Sequence, residues 1–476
     1  MSQGIFYNLI ARSLFILGAY IIHVSVGRRF GLDLYGTFGV SLAILTISYI
    51  FLDNGVRQAI SRLIALHPES AKGIFRKGFW VQLVISLPIA MAVFGFSGKI
   101  ATFFNDTHLS VPLQICGIII LVQAQFFISM GTMNGQKRFL SESFVISIYS
   151  IIRPAAVLLF VWKGFGVVGA VSGYLFASVC AAFIGIMMLL GVPDRPIRLK
   201  IKDVFQSAAM NIIIFGSMAV LMNIDLLLVK RFLGDGKCTG LYTAASAFSK
   251  PPCLLLFTFG AIGLPLIARS YGNSNIAQCK IYFSQIVRYS IIIFTPVISL
   301  IAVTSTELVI SFYNPEYISA GLALRVLTVG LWFIGNAYIL AHVMIAIGSE
   351  HFMAMFSVIT IILDVLFNLL FIPKFGINGA AFATTLSAFM LLIACGCYVT
   401  IKIGLEITVK TILRLTFLLF IISYIPGLLP LDKIPLLVQY TILYALYAAG
   451  LFMTGEINME DRVMLKQLIE QKVTTE

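Results

Sequence analysis

Charge is scarce in this chain: of its 476 residues 11% are Asp, Glu, Lys or Arg, while 59% are hydrophobic and the mean hydropathy is +0.99. An ordinary soluble domain carries about 25% charged residues, so that class is excluded. Long polar connections are missing too. The longest, 54–77, holds about two dozen residues and most others fewer than about 16, whereas a soluble catalytic domain needs roughly 50 to bury a core. P-loop, H-E-x-x-H and G-x-S-x-G motifs are absent, which removes a built-in ATP motor, a zinc-protease site and a serine nucleophile elbow. The seven cysteines make no disulfide framework: Cys116, Cys180, Cys253, Cys395 and Cys397 lie in or beside apolar runs, and Cys238 and Cys279 lie in connections on opposite sides. Cys395 and Cys397 are two apart, so on a helix they face different ways. No catalytic residue, cofactor or metal site is expected.

What the chain has is apolar length. Runs of about 20 residues, enough to cross a hydrocarbon layer of roughly 30 Å, fall at 5–26, 34–53, 78–97, 111–131, 142–162, 167–190, 207–228, 240–266, 284–304, 319–347, 352–372, 377–398, 411–429 and 434–454. The expected fold is therefore an all-α integral membrane protein of about 14 transmembrane helices. The first run is full length, lacks an A-x-A site and carries Arg12 inside it, so it reads as a retained helix rather than a cleaved leader.

The chain also repeats itself. GFGVVGA at Gly164 to Ala170 returns as KFGINGA at Lys374 to Ala380, GQKRF at Gly135 to Phe139 as GSEHF at Gly348 to Phe352, and GRRFG at Gly27 to Gly31 as VKRFLG at Val229 to Gly234. Three matches in one order at nearly one offset predict two duplicated six-helix lobes, 1–200 and 201–400, followed by two C-terminal helices in 401–476. The boundary falls in the proline-rich, basic linker 191–206. Substrate sites of duplicated transporters form where such repeats meet near the bilayer midplane. An amphipathic surface helix is expected over 458–472.

Lysine and arginine favour one side of this topology roughly two to one, which places both termini in the cytoplasm. The net charge of +13 is then explained by anionic inner-leaflet lipids and needs no nucleic acid.

Six charged residues fall inside the apolar runs and carry the functional expectation: Arg12, Arg153, Lys250 and Arg325, with Asp225 and Asp364. Each such group costs roughly 2.5–3.5 kcal/mol near a helix centre, so it faces protein or water. Arg153, Lys250 and Asp364 lie nearest the midplane. A cavity shared by these residues would be positive and would gather anions, and arginine suits phosphate through its bidentate fork. Pro154 follows Arg153, and Pro251 and Pro252 follow Lys250, so both cations sit beside helix bends. Competing readings exist for each. Arg12, Arg325 and Arg288 are long enough to reach a headgroup layer, and Arg153 or Lys250 would also fit a buried pair with Asp364 or Asp225. Asp225 and Asp364 are candidates for loading the coupling proton or sodium ion. Asp53 and Glu142, at helix ends, read as interfacial, with Asp53 in reach of Arg57. His342 reads as a packing residue.

The stretches GLDLYGTFGVSLAI, LDNGVRQAISRLIA, NIDLLLVKRFLG with GLYTAASAFSK, and FNLLFIPKFGINGAAFATTLSA resemble the polysaccharide transporter family of Wzx-type flippases, within the multidrug/oligosaccharidyl-lipid/polysaccharide exporter superfamily. The resemblance covers about residues 5 to 400. It implies fourteen helices in two lobes around a cation-lined cavity. It also implies movement of undecaprenyl-diphosphate-linked oligosaccharide (O-antigen, capsule or exopolysaccharide units) across a bacterial cytoplasmic membrane. Asp225 and Asn368 match positions of the family pattern, and Arg153 before Pro154 is also similar. Arg12 and Lys250 rest on depth and sign. The partners implied are the lipid-linked oligosaccharide, coupling H+ or Na+, membrane lipids, and glycan polymerase and chain-length proteins. The rival readings are a peptidoglycan-precursor flippase or a multidrug antiporter of the same superfamily and, from another class, a membrane glycan polymerase, which the short outer loops disfavour.

Overall fold

The computed structural model describes residues 2–192, 201–406, 409–428 and 435–456. The centre of the expected linker and the expected amphipathic helix at 458–472 lie outside the described residues. The chain is all helix among them, as lipid demands, because a helix satisfies its own backbone groups where water is missing. In order the helices are α1 (Ser2–Phe51), α2 (Gln58–Leu66), α3 (Ala71–Gly95), α4 (Ser97–Phe103), α5 (Ser110–Gly135), α6 (Phe139–Trp162), α7 (Gly166–Met187) and α8 (Ile201–Leu221). They continue as α9 (Ile224–Leu233), α10 (Gly236–Gly272), α11 (Ile276–Val303), α12 (Ser305–Phe312), α13 (Ala320–Ala346), α14 (Glu350–Ile403), α15 (Val409–Leu428) and α16 (Leu436–Met453). Between α1 and α2 the chain makes a π-helical turn, Leu52–Arg57.

Among the described residues eight helical stretches are long and apolar enough to cross a membrane, or nine when the pair α8 and α9, bent by 42°, is taken as one. Two of the eight are each two expected spans. Helix α1 breaks at Gly31 (φ 67°) and α14 at Gly376 (φ 58°), in the gaps expected at 27–33 and 373–376. With α10, α15 and α16, all fourteen expected spans find a helix or a helix arm. The protein is an all-α integral membrane protein.

The span expected at 207–228 is interrupted instead of continuous. Asn223 donates from Nδ2 to the Ala219 carbonyl at 2.8 Å, and Asp225, in the first turn of α9, accepts from the Leu226 amide at 2.7 Å. Side chains thus satisfy backbone groups on both sides of the bend, which makes the break tolerable in lipid. The connection 54–77 is mostly helix: it holds the end of the π turn, α2 and the start of α3.

The repeats carry matching backbone geometry. Gly166 and Gly376, 210 apart, have φ of 57° and 58°, and Gly31 and Gly234 have 67° and 61°. This left-handed region is open to glycine at little cost. The turn after α5 closes with Lys137 N to Asn134 O and Arg138 N to Met133 O; the turn after α13 closes with Gly348 N to Ile345 O and Ser349 N to Met344 O. Lys137, at φ 59°, therefore stands where Gly348 stands at 71°, which moves the register read from GQKRF and GSEHF by two residues. The short helices α4 and α12 also correspond, each followed by one 3-10 turn, Thr107–Leu109 and Pro315–Tyr317.

Packing divides the chain into two compact units, Gln3–Ala247 with Ser357–Ala380, and Phe248–Phe356 with Ala381 onward. The first has a core of Ile60, Ile64, Phe126, Met133, Val145 and Tyr149. Glycines let its helices approach: a Cβ on Gly173 would lie 2.6 Å from the Val157 backbone, and one on Gly36 would lie 2.7 Å from the Gly236 carbonyl oxygen. Small residues serve this purpose in membranes, where apolar side chains gain nothing by leaving lipid. In the second unit α11, α15 and α16 close around Leu300, Leu418, Leu443 and Tyr447.

Candidate functional site

Arg153 is the central charge of the first unit. It sits on α6 directly before Pro154 and is 4% exposed. Its guanidinium carbon lies 4.2 Å from the ring centre of Phe15 on α1, 5.2 Å from Tyr149 one turn back on α6, and 5.5 Å from Tyr174 on α7. One terminal nitrogen donates to the Phe15 carbonyl at 2.9 Å, while Nε has no partner. No carboxylate among the described residues pairs with it. Three aromatic faces return about 2 kcal/mol or more for a desolvated cation, against several for removing it from water. The competing reading, a buried pair of Arg153 with Asp225 or Asp364, does not form; the cage takes its place because Phe15, Tyr149 and Tyr174 surround the head group.

The two acids are held separately. Asp225, 2% exposed, accepts from Tyr242 Oη at 2.5 Å and from the Leu226 amide. Asp364 is fully buried on α14, where Asn368 donates from Nδ2 to its backbone carbonyl at 2.8 Å and to Oδ2 at 3.1 Å. The Asn368 carbonyl oxygen has no partner. Arg12 is exposed on α1, one turn before Phe15. Arg153, Arg12, Asp225 and Asp364 thus belong to one unit. Lys250, half-buried on α10, and Arg325 belong to the other. Arg325 is exposed and donates from Nε to the Ala302 carbonyl at 2.9 Å.

Two polar clusters escaped sequence reasoning, and a third was legible only in part. Lys230 on α9 and Asp106, in the connection between α4 and α5, form a buried ion pair of 2.8 Å, and Thr37 Oγ1 donates to the same carboxylate at 2.7 Å. At the π turn, Arg57 pairs with Asp53 at 2.6 Å, the alternative that their nearness in sequence offered, and faces Glu142 at 3.7 Å. Glu142, read as interfacial, is 4% exposed: Arg57 of the π turn faces it and Asn134 of α5 donates to it at 2.9 Å. Arg288, read as reaching for a headgroup, instead meets Glu456 at 3.1 Å, and Arg414 joins the same carboxylate at 3.3 Å. The buried acid after α16 is thus the shared partner of both arginines. His342 is buried against Tyr338, its Nδ1 2.9 Å from that residue's carbonyl, in keeping with a packing role. Cys395 is buried and Cys397 exposed, on different faces as expected.

Long apolar helices with left-handed breaks and charges enclosed within them define a multi-pass membrane protein. Residues 1–271 match the family described as polysaccharide biosynthesis protein, and the chain belongs to that family. An uncharacterized membrane protein of Methanocaldococcus jannaschii is 23% identical over 82% of this chain and 82% of its own length. The fold is similar to that of a lipid II flippase, MurJ, in an inward closed conformation, with a TM-score of 0.73 at 15% identity, covering 95% of this chain and 99% of the other. It is also similar to an inward-facing multidrug resistance MATE family transporter of the MOP superfamily, with a TM-score of 0.71 at 15% identity, covering 82% and 94%.

Proposed function

We propose that the protein is a flippase for undecaprenyl-diphosphate-linked oligosaccharide, working by alternating access in a bacterial cytoplasmic membrane with both termini inside. The lobes 1–200 and 201–400 rock about a cationic site. Arg153 holds the diphosphate or an acidic sugar, Arg12 flanks it, and Lys250 and Arg325 add positive charge. The lipid tail stays in the bilayer while the head group crosses. The observation that carries this reading is Arg153 itself, a buried cation without a counter-ion among the described residues and with Nε uncommitted. A phosphate would supply the missing charge and accept a bidentate pair. Because the guanidinium is enclosed in this conformation, the site opens when α1 and α7 separate around it. Asp225 and Asp364 are the carboxylates proposed to load the coupling proton or sodium ion.

The test is transport in vesicles holding the purified protein. Labelled glycolipid should become accessible on the opposite face without any change in covalent length. Lengthened product would make the protein a polymerase, and movement of lipid II or of cationic drugs in place of the oligosaccharide lipid would assign it to the rival transporter readings. No movement of any of these would end the proposal.

A further inference from the structure

A second cation-lined site lies in the first unit, apart from the Arg153 cage. A cavity of about 320 Å³ opens where the π turn and α2 lie along α5, lined by Arg57, Gln58, Ser61, Arg62, Gly131 and Asn134. Every lining side chain carries a hydrogen-bond donor except Gly131, and no carboxylate among the described residues lines it. The volume falls within the range of small-molecule sites.

The walls are positioned from behind. Gly131 admits the chain at Arg57, since a Cβ there would lie 2.6 Å from the Arg57 carbonyl oxygen, and Gly135 does the same for Ser61 at 2.5 Å. Asn134 accepts from Ser61 Oγ at 2.9 Å and donates to Glu142 at 2.9 Å, which holds that acid out of the cavity and against Arg57. Gln82 donates from Nε2 to the Leu52 carbonyl at 2.9 Å, satisfying the start of the π turn. Such turns recur at functional sites because they re-aim side chains that an α-turn would bury. Arg62 is exposed and forms no ion pair among the described residues. Lys72, Arg76, Lys77, Lys137 and Arg138 lie on the same or the adjacent connection, so the local field favours anions.

We infer that this cavity is a phosphate-recognising loading site, which receives the diphosphate of the lipid-linked substrate at the inner membrane surface before it reaches Arg153. The inference rests on the flippase reading for the identity of its ligand. Arg62 supplies an uncommitted guanidinium, Gln58 and Ser61 supply neutral donors, and Arg57 adds charge while remaining braced by Asp53 and Glu142.

The experiment uses the full-length protein in non-ionic detergent, titrated calorimetrically with farnesyl diphosphate and, separately, with inorganic pyrophosphate. Loss of a charge-assisted contact in Arg62→Gln should weaken farnesyl diphosphate binding about tenfold with an unchanged melting temperature, and Arg62→Lys should recover most of it. Gln58→Glu, which places a carboxylate in the cavity without changing its size, should weaken binding at least as much. Equal affinity in wild type, Arg62→Gln and Gln58→Glu would overturn the site. Inorganic pyrophosphate binding as tightly as the farnesyl ester would overturn the assignment to a lipid-linked ligand. The two readings fail separately. Arg62-dependent diphosphate binding in a protein that moves no glycolipid keeps the site and sinks the flippase. Glycolipid movement at the wild-type rate in Arg62→Gln keeps the flippase and sinks the loading site.

Discussion

Lys230 Nζ lies 2.8 Å from Asp106 Oδ2, with both side chains buried and Thr37 donating to the same oxygen. The pair joins α9, the connection ahead of α5 and the second arm of α1, three segments far apart in the chain. Close packing reinforces it, since a side chain at Gly240 would strike the Leu32 carbonyl and one at Gly39 would strike Thr243. Removing one member of a buried pair leaves the other uncompensated, at a cost of roughly 3–5 kcal/mol. Lys230→Met and Asp106→Asn should therefore each lower the melting temperature in detergent, and the double variant should recover most of the loss. Additive losses in the double variant would show that the two groups act independently.

The same carboxyl fixes a pH dependence. Burial pushes it upward, but hydrogen bonds from Lys230 and Thr37, the ammonium charge and the His108 amide outweigh that, and Asp106 is held below its ordinary value. Stability from a depressed carboxyl is complete above the unfolded value of about 3.9 and is lost as pH falls through the lower folded one. The difference in melting temperature between wild type and Asp106→Asn should stay flat from about pH 5 to 8 and shrink only below about pH 4. A difference that shrank between pH 8 and 6 would contradict this.

For Arg153 the proposal separates charge from packing. Arg153→Ala should reduce glycolipid movement about tenfold or more through the lost charge-assisted contact, with surface expression retained. Arg153→Lys should restore part of it, since a point charge replaces the fork but not its geometry. Normal export in the Arg153→Ala, Lys250→Ala double variant would remove both residues from transport.

Coupling is tested at the acids. Asp225→Asn and Asp364→Asn should leave the fold intact, because each amide keeps one oxygen, for the Leu226 amide at 225 and for Asn368 at 364, and the new NH2 at 225 can donate to Tyr242 Oη, yet one of them should abolish the response of transport to an imposed proton or sodium gradient. Unchanged gradient dependence in both would assign coupling elsewhere.

The helices were legible because lipid imposes length and apolarity on each span, and the gaps at Gly31 and Gly376 appear in the sequence as interruptions of an apolar run. The surroundings of the charges were not. Tyr149 lies one helical turn from Arg153 and is visible as such, but Phe15 and Tyr174 come from other helices and complete the cage only on packing. Asp106 and Lys230 sit in segments read as outer connections, where charge is ordinary. Glu142 stands near a helix end in the sequence, and only packing brings Arg57 and Asn134 against it. The Lys137 register was hidden for a different reason: a lysine there adopts the backbone geometry that its counterpart Gly348 advertises.

The winding at Leu52–Arg57 has a mechanical corollary. A π turn holds one residue more than the α ladder would, so its spare residue sets the phase between the helix before it and α2. Deleting that residue and rewinding the segment as α would rotate the two by about 100° and shift them by about 1.5 Å. Arg57 and Arg62 would then swing off the α5 groove together, even though neither side chain had been changed.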